Sequence, residues 1–398
     1  MKAPLKQGTS QLGHANSMAV FNEVLFDAPV PRNDIARRTR LTPTSVSRIT
    51  RQLIDTGLVE EFESQKTGRP GRQSISLRLT DDAGYVIGIA VNLFDQRIAL
   101  ANLQRKIIAE APLPRKRILN SETAAETAAE TIDALLKKHR INRSRVFGIG
   151  LASAGVADSE QGMVIRAPTL GWNQVPLGRD IEKYTGIPVR QTNLANAVGA
   201  AEYRFGIART FRNFIVIHAT LGFGMSVVVD GHFVRGFMNQ AGLIGEVPVK
   251  IGGSYLDPRC ELDSVAGGAP IVRKWLERRK PSVLQESIQQ VHLDELASAA
   301  NLGDTEAIAV CREGANYLGE TIIPLATALS SEAVIFFGPM MNIDPYRETL
   351  ETMLSKAISS RRPLEVMVSD KRPVEAAYML AISELANTGL HLDNLLRR

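Results

Sequence analysis

Thr44, Ser45, Ser47, Arg48 and Arg51 fall within eight residues of one another, a mix of short hydroxyls and guanidinium groups suited to phosphate oxygens and base edges. Small hydroxyl residues let a backbone come close to a duplex, while Arg48 and Arg51 reach phosphates or guanine edges. A second basic set follows in Lys66-Thr67-Gly68-Arg69-Pro70-Gly71-Arg72, where Arg69 and Arg72 are placed for a minor groove or a row of phosphates. Thiol chemistry has little to work with. The 2 cysteines, Cys260 and Cys311, are too few for a disulfide framework, and both read as small buried residues in a reducing, cytoplasmic protein.

The elements that must position the hydroxyl–arginine set can be read locally. From Ser17 onward, Met18, Val20, Phe21, Val24, Leu25 and Phe26 give a helix an apolar face, and Ala28-Pro29-Val30-Pro31 breaks it. Asn33 or Asp34 can cap a short second helix with Ile35 and Ala36 inward. After a turn at Arg40-Leu41, Thr42 is a good N-cap and Pro43 suits the first helical position. Val46, Ile49, Leu53 and Ile54 then form the buried stripe, which leaves the hydroxyl and arginine side chains outward. Gly57 ends that helix, and strands are expected at Leu58–Glu63 and Ser74–Leu79 with the basic loop between them. The result is a winged helix-turn-helix over residues 1–80 whose second helix enters a major groove N-terminus first. Residues 1–80 carry 12 Lys/Arg against 7 Asp/Glu, so the whole net charge of +5 sits in the first fifth of the chain. Phosphate neutralisation supplies most non-specific affinity for DNA, which is what such a segment needs. A small helical domain for protein contacts, its arginines merely solvated, is the alternative.

The chain of 398 residues has room for two or three domains, and 44% hydrophobic with 22% charged residues is ordinary for a soluble protein. No run of about 18 apolar residues suggests a membrane span, and the polar start MKAPLKQGTSQLGHANS lacks the apolar core of a secretory signal. Beyond residue 80, strands and helices alternate. Residues 85–104 read as two strands turning near Phe94-Asp95, 121–139 as an Ala-rich helix, and 146–152 as a buried strand. A strand at Ile187–Gln191 leads into a helix through Asn196–Tyr203. Phe214–His218 and Gly224–Val229 form another strand pair, followed by a long helix at 305–329 and a buried strand at Ala333–Phe337. The pattern is α/β with a mixed sheet, and its apparent recurrence near residues 85 and 214 predicts two related lobes with a cleft between them.

Several motifs in this region occur in register with one family. Gly148-Ile149-Gly150-Leu151-Ala152-Ser153-Ala154-Gly155-Val156, then Ala167-Pro168-Thr169-Leu170-Gly171-Trp172-Asn173, Gly186-Ile187-Pro188-Val189, Asn193-Leu194-Ala195-Asn196-Ala197 and Ala241-Gly242-Leu243-Ile244-Gly245-Glu246 resemble the ROK family (repressors, open reading frames and kinases) over nearly the full chain. The winged N-terminus matches its repressor branch. The resemblance implies a two-lobed actin/hexokinase-like sugar-kinase fold, with a first lobe at 81–200 and a second at 201–398 that also holds the dimerisation surface and the C-terminal helix, Val374–Asn387. That helix is expected to pack back toward the N-terminal domain.

Departures from the family pattern shape the functional expectation. The kinases' Asp-X-Gly-Gly-Thr phosphate turn is replaced by Ala90-Val91-Asn92-Leu93-Phe94-Asp95, and their general base by Leu194, which takes no proton from a sugar hydroxyl. The second phosphate loop survives in part as Thr220-Leu221-Gly222-Phe223-Gly224. The family's zinc histidine is Val249, and the cysteine-rich loop reads Gly252 to Cys260 with one cysteine. Asn193 and Glu246 match sugar-binding positions, Asn173 could also line the cleft, and a third family contact falls near Glu261-Leu262. Asn193 can equally cap a helix and Glu246 pair with Lys250. The expectation is a kinase-inactive regulator, a repressor, that reads operator DNA as a homodimer or dimer of dimers and responds to a carbohydrate-like effector without metal or cofactor. Its alternatives are a sugar kinase that also binds DNA and a constitutive DNA-binding protein without effector.

Overall fold

The computed structural model describes residues 5–63, 75–250, 260–277, 279, 288, 290–357 and 363–388. It opens with α1 (Leu5–Asp27), β1 (Val30–Pro31), α2 (Arg32–Thr39), α3 (Pro43–Asp55), β2 (Val59–Glu63) and β3 (Ile75–Leu79). β3 pairs antiparallel with both β1 and β2, giving a three-stranded sheet in the order β1-β3-β2 beside the helices. This is the winged helix-turn-helix anticipated from the pattern, with three differences. α1 starts at Leu5 rather than Ser17, because its first turns are polar and carry no apolar period. The Val30-Pro31 breaker pairs as a short edge strand. Neither Asn33 nor Asp34 caps α2, which begins one residue earlier behind Pro31 without a side-chain cap.

α3 follows its local signals closely. Thr42 sits in extended backbone and its hydroxyl accepts the Ser45 N–H at 3.2 Å, with Pro43 at the first helical position. Val46, Ile49 and Leu53 are fully buried, each contributing about 1.5–3 kcal/mol by leaving water. The turn between α2 and α3 is closed by Arg40 in left-handed backbone, φ 57°. The 64–74 wing tip, with Arg69 and Arg72, lies outside the described residues.

Two five-stranded sheets make the body. The first comprises β4 (Tyr85–Val91), β5 (Gln96–Asn102), β6 (Ile107–Pro112), β7 (Val146–Ser153) and β11 (Val189–Asn193), in the order β6-β5-β4-β7-β11. Between them come helices α4 (Arg115–Ile118), α5 (Ala124–Lys138) and α6 (Leu177–Thr185), and a small sheet of β8 (Val156–Asp158), β9 (Met163–Ala167) and β10 (Trp172–Val175). α7 (Leu194–Phe205) then leads to the second sheet, built from β12 (Phe214–Ala219), β13 (Phe223–Val229), β14 (His232–Phe233), β15 (Ala333–Phe337) and β16 (Glu365–Val368), in the order β14-β13-β12-β15-β16. Helices α8 (Leu262–Ala266), α9 (Gly268–Leu276), α10 (Gln290–Asn301), α11 (Thr305–Ala328) and α12 (Asp344–Ala357) cover it, and α13 (Pro373–Thr388) follows. In both sheets the first three strands form an antiparallel meander and the last two add in parallel. The two lobes therefore repeat one topology, as the recurrence of the pattern near residue 214 implied.

The layering assigns α13 differently from the 201–398 division. α13 packs on β4 and β7 of the first sheet and against α7. Its approach depends on glycines: a Cβ on Gly88 would lie 2.4 Å from the Val374 carbonyl oxygen, and one on Gly150 only 1.8 Å from that of Ala377. The outer face of the first sheet is sealed by α5 and α6, and the outer face of the second by α8–α12. Between the sheets, one apolar core joins Ala90, Ala99 and Ala152, then α7 and α13, then Phe214, Val216 and Ile335, and runs on through Met18, Phe21 and Val24 of α1 into the winged helix. α1 and α13 thus meet in one interior, and α13 does pack back against the N-terminal domain: Asn22 Nδ2 donates to the Ala386 carbonyl at 3.0 Å. No helix among the described residues is long and apolar enough to cross a membrane.

Candidate DNA-reading face and interlobe cleft

On α3, Thr44, Ser47, Arg48 and Arg51 are exposed and occur at i, i+3, i+4 and i+7, so they form one stripe opposite the buried one. Ser45 is half-buried and tied into the N-cap, accepting from the Thr42 hydroxyl at 2.9 Å, so it shapes the helix start more than it faces outward. Four other arginines of the domain are engaged. Arg32 donates to Thr50 at 3.1 Å and pairs with Glu61 at 2.8 Å, Arg37 pairs with Asp34 at 2.9 Å, Arg38 holds Asp27 at 2.9 Å, and Arg78 pairs with Glu60 at 2.6 Å. Arg48 and Arg51 form no ion pair among the described residues and are left to bind something else. So is Arg40, exposed at the turn before the helix, which the residue pattern did not single out.

Between the lobes lies a cleft of about 680 Å³. The first lobe supplies the β4–β5 turn, the end of β7, Arg166 and the start of α7. The second supplies the Thr220–Gly224 loop, Glu246, Asp263 and His218, and the Ser369–Pro373 connection closes one side. Asn193 and Glu246 are both there. Asn193 caps α7, accepting the Asn196 N–H at 2.8 Å, while its amide NH2 has no partner among the described residues. Glu246 forms an ion pair with Arg166 on β9 that bridges the two sides of the cleft. Asn173 does not line it: it stands exposed on β10, across the strand pair from Arg166, which takes the place expected of it. The second-lobe carboxylate near residue 261 is also displaced, since Asp263 rather than Glu261 reaches the cleft. Residue patterning also missed Ser153, whose buried hydroxyl at the cleft end of β7 has no partner among the described residues.

Both stretches corresponding to phosphate loops are closed by the chain's own side chains. In the β4–β5 turn, Asn92 Oδ1 accepts the N–H groups of Phe94 and Asp95 at 2.9 and 2.8 Å, the backbone donors a phosphate would need, and Leu93 and Phe94 line the space. In the second loop the Phe223 N–H is taken by Asp263 Oδ1 at 2.7 Å. The Asp263 carboxyl is wedged between Gly222 and Gly245, where an added Cβ would fall 2.8 and 2.4 Å from it. Leu194, which the family resemblance sets at a kinase's general-base position, is buried at the start of α7.

Burial pushes the Asp263 carboxyl up to about 6, opposed by its bond from Phe223 and reinforced by the nearby charges of Glu261 and Glu246. A raised carboxyl favours folding at low pH, and that contribution is lost as pH rises through about 6. Asp263→Asn keeps an acceptor for Phe223 without the charge. It is therefore expected to be more stabilising at pH 8 than at pH 5 by about 1 kcal/mol, as read from urea midpoints at the two values. An equal effect at both pH values would contradict the burial of this charge. Beside it, His218 stacks on Phe337 with ring centroids 4.4 Å apart, and burial lowers its pKa to about 4, so the ring is neutral near pH 7. Among the described residues no three His, Cys, Asp or Glu side chains gather to hold a metal ion, and the 252–259 stretch lies outside them.

A winged helix fused to a two-lobed body with an interlobe cleft defines a sugar-kinase-like architecture carrying a winged-helix head. Residues 86–383 match the ROK family, and the chain belongs to it. It is 27% identical over 416 aligned positions to the DNA-binding transcriptional dual regulator NagC of Escherichia coli, covering 98% of each chain. In structure it resembles a ROK family transcriptional regulator, a homologue of Escherichia coli MLC, with a TM-score of 0.78 and 22% identity over 97% of this chain and 100% of the other. It also resembles a ROK family glucokinase of Streptomyces griseus, with a TM-score of 0.61 and 22% identity over 77% of this chain and 100% of that one. The fold is thus shared by regulators and kinases, and the site residues must separate them.

Proposed function

We propose that this chain is a transcriptional repressor that reads operator DNA through the exposed α3 stripe and the wing, and responds to a sugar-like effector held in the interlobe cleft. The observation that carries this reading is the stripe itself: two arginines without ion-pair partners among the described residues beside two short exposed hydroxyls, on a well-capped helix, in a domain where Arg32, Arg37, Arg38 and Arg78 are paired. One winged helix makes few contacts, so the reading includes a two-fold pair of chains on a palindromic site, as a dimer or a dimer of dimers. Arg69 and Arg72 are assigned to the wing's DNA contacts. In the cleft, the Asn193 amide, Glu246 and the orphaned Ser153 hydroxyl are the polar groups assigned to the effector. Effector closes the cleft and changes the spacing of paired recognition helices by shifting populations. Sugar phosphorylation is excluded from this reading because Leu194 is no base and both phosphate loops are internally satisfied. Its setting is the cytoplasm.

The test is binding to DNA flanking the chain's own gene at fixed salt, with and without a panel of sugars and sugar derivatives, run beside an ATP-coupled kinase assay on the same panel. Specific binding relieved by one compound, with no turnover, is the expected result. Specific binding that no compound alters would leave a constitutive DNA-binding protein, turnover would restore the kinase, and absence of specific binding would remove the reading.

A further inference from the structure

The chain crosses between the lobes at two places: residues 206–213, from α7 to β12, and residues 369–372, from β16 to α13. We propose that the buried carboxylate of Glu202 ties these two crossings together and so couples the effector cleft to the DNA-binding domain. This rests on the regulatory reading above and specifies how its two sites communicate.

Glu202 lies on α7 and is 1% exposed. One carboxylate oxygen accepts the Ile207 N–H at 2.8 Å, fixing the start of the first crossing. Gly206 leaves room for that geometry, since a Cβ there would collide with the carboxylate. The other oxygen accepts the Ser369 hydroxyl. Ser369 in turn accepts the Lys371 N–H at 3.1 Å and gives its own N–H to the Phe336 carbonyl at 2.8 Å, so it is fixed to the second sheet and sets the path of 369–372. Ser369 and Lys371 line the cleft. The DNA-binding domain is seated on the same structure. Phe205, three residues beyond Glu202, packs against Phe26 with ring centroids 5.5 Å apart. Arg209, in the first crossing, pairs with Asp27 at 2.9 Å, and Asp27 also holds Arg38 on α2. A displacement of 369–372 at the cleft is therefore carried by one carboxylate to the residues that grip the end of α1. A carboxylate buried with both oxygens engaged transmits such a shift because releasing either bond is costly. Glu202 is a positioning residue in this scheme and touches neither ligand.

Linkage requires the coupling to run both ways, so it can be read with DNA as the probe and without a known effector. Amide hydrogen exchange is compared with and without duplex from the flank of the chain's own gene. In the native protein, DNA is expected to change exchange at 205–209 and at 369–372 by several-fold. Glu202→Gln can accept from only one of its two partners, and Ser369→Ala breaks the cleft side alone. Each is expected to bind the duplex within about threefold of the native affinity while the change at 369–372 falls by more than half. Variants that melt earlier but retain the full change would show a structural role only and overturn the proposal. So would a native protein whose 369–372 segment does not respond to bound DNA, an outcome that needs no variant to fold. Failure of the native protein to bind DNA would instead sink the regulatory reading.

Discussion

A protein carrying Gly150→Ala is expected to lose on the order of 3 kcal/mol or more of stability, and Gly150→Val to fail to fold. The position is in the middle of a buried strand, where alanine ordinarily costs nothing or helps. Here the added carbon would stand 1.8 Å from the Ala377 carbonyl oxygen and 3.1 Å from the Ala381 N–H nitrogen. These are backbone atoms of α13, so no side chain can turn away. The helix must lift from the sheet, and the core it shares with α7 and α1 opens with it. Urea denaturation of the purified variants measures the effect, and a midpoint for Gly150→Ala within a few tenths of a kcal/mol of native would refute the packing described. Gly148, whose added Cβ would meet nothing closer than 3.6 Å, is the matched control and should accept alanine at little cost.

The second large effect lies on α3. Arg48→Ala and Arg51→Ala should each weaken specific DNA binding by about 5- to 150-fold, the range for losing one to three kcal/mol of base or phosphate contact. The double variant should approach the affinity for unrelated DNA. Neither substitution should alter the melting temperature, because both side chains are exposed and without ion-pair partners among the described residues. The two roles separate by salt: losing a phosphate contact lowers the slope of log affinity against log salt by about one, whereas losing a base contact relaxes sequence preference at one position and leaves that slope nearly unchanged. Unchanged binding by the double variant would move the reading surface elsewhere. By contrast, Ser45→Ala is expected to act mainly on stability, through the cap it shares with Thr42.

How much of this could be read from the residues depends on how local the cause is. The capped third helix was legible because Thr42, Pro43 and the Val46–Ile49–Leu53 stripe all lie within one short segment and agree. The β4–β5 hairpin and the strands 146–153 and 333–337 were legible for the same reason, as dense apolar runs. What was missed depends on residues far apart. Nothing near Gly88 or Gly150 announces that α13 will press on them from more than two hundred residues away. The 201–398 division accordingly placed that helix in the wrong layer. The displacement from Glu261 to Asp263 has a similar origin, since the wedge that holds Asp263 is made by Gly222 and Gly245 on other segments. Asn173 is exposed because it directly follows buried Trp172, and adjacent strand residues face opposite ways. Leu194 was legible without any structure, because its side chain takes no proton wherever it sits.

The interior that runs from the first sheet through α7 and α13 into α1 also bears on how such a molecule could be rebuilt. A DNA-reading head joined by a linker can be exchanged between relatives as a cassette, but this one is bounded by apolar surface from the opposite end of the chain. A hybrid made by joining a foreign residue 1–80 segment to this body would leave Ala386 and its neighbours without Met18 and Phe21 to cover them. On the proposed reading, the winged helix is therefore inherited together with α13, and new operator preferences are more accessible by resurfacing α3 in place than by recombination.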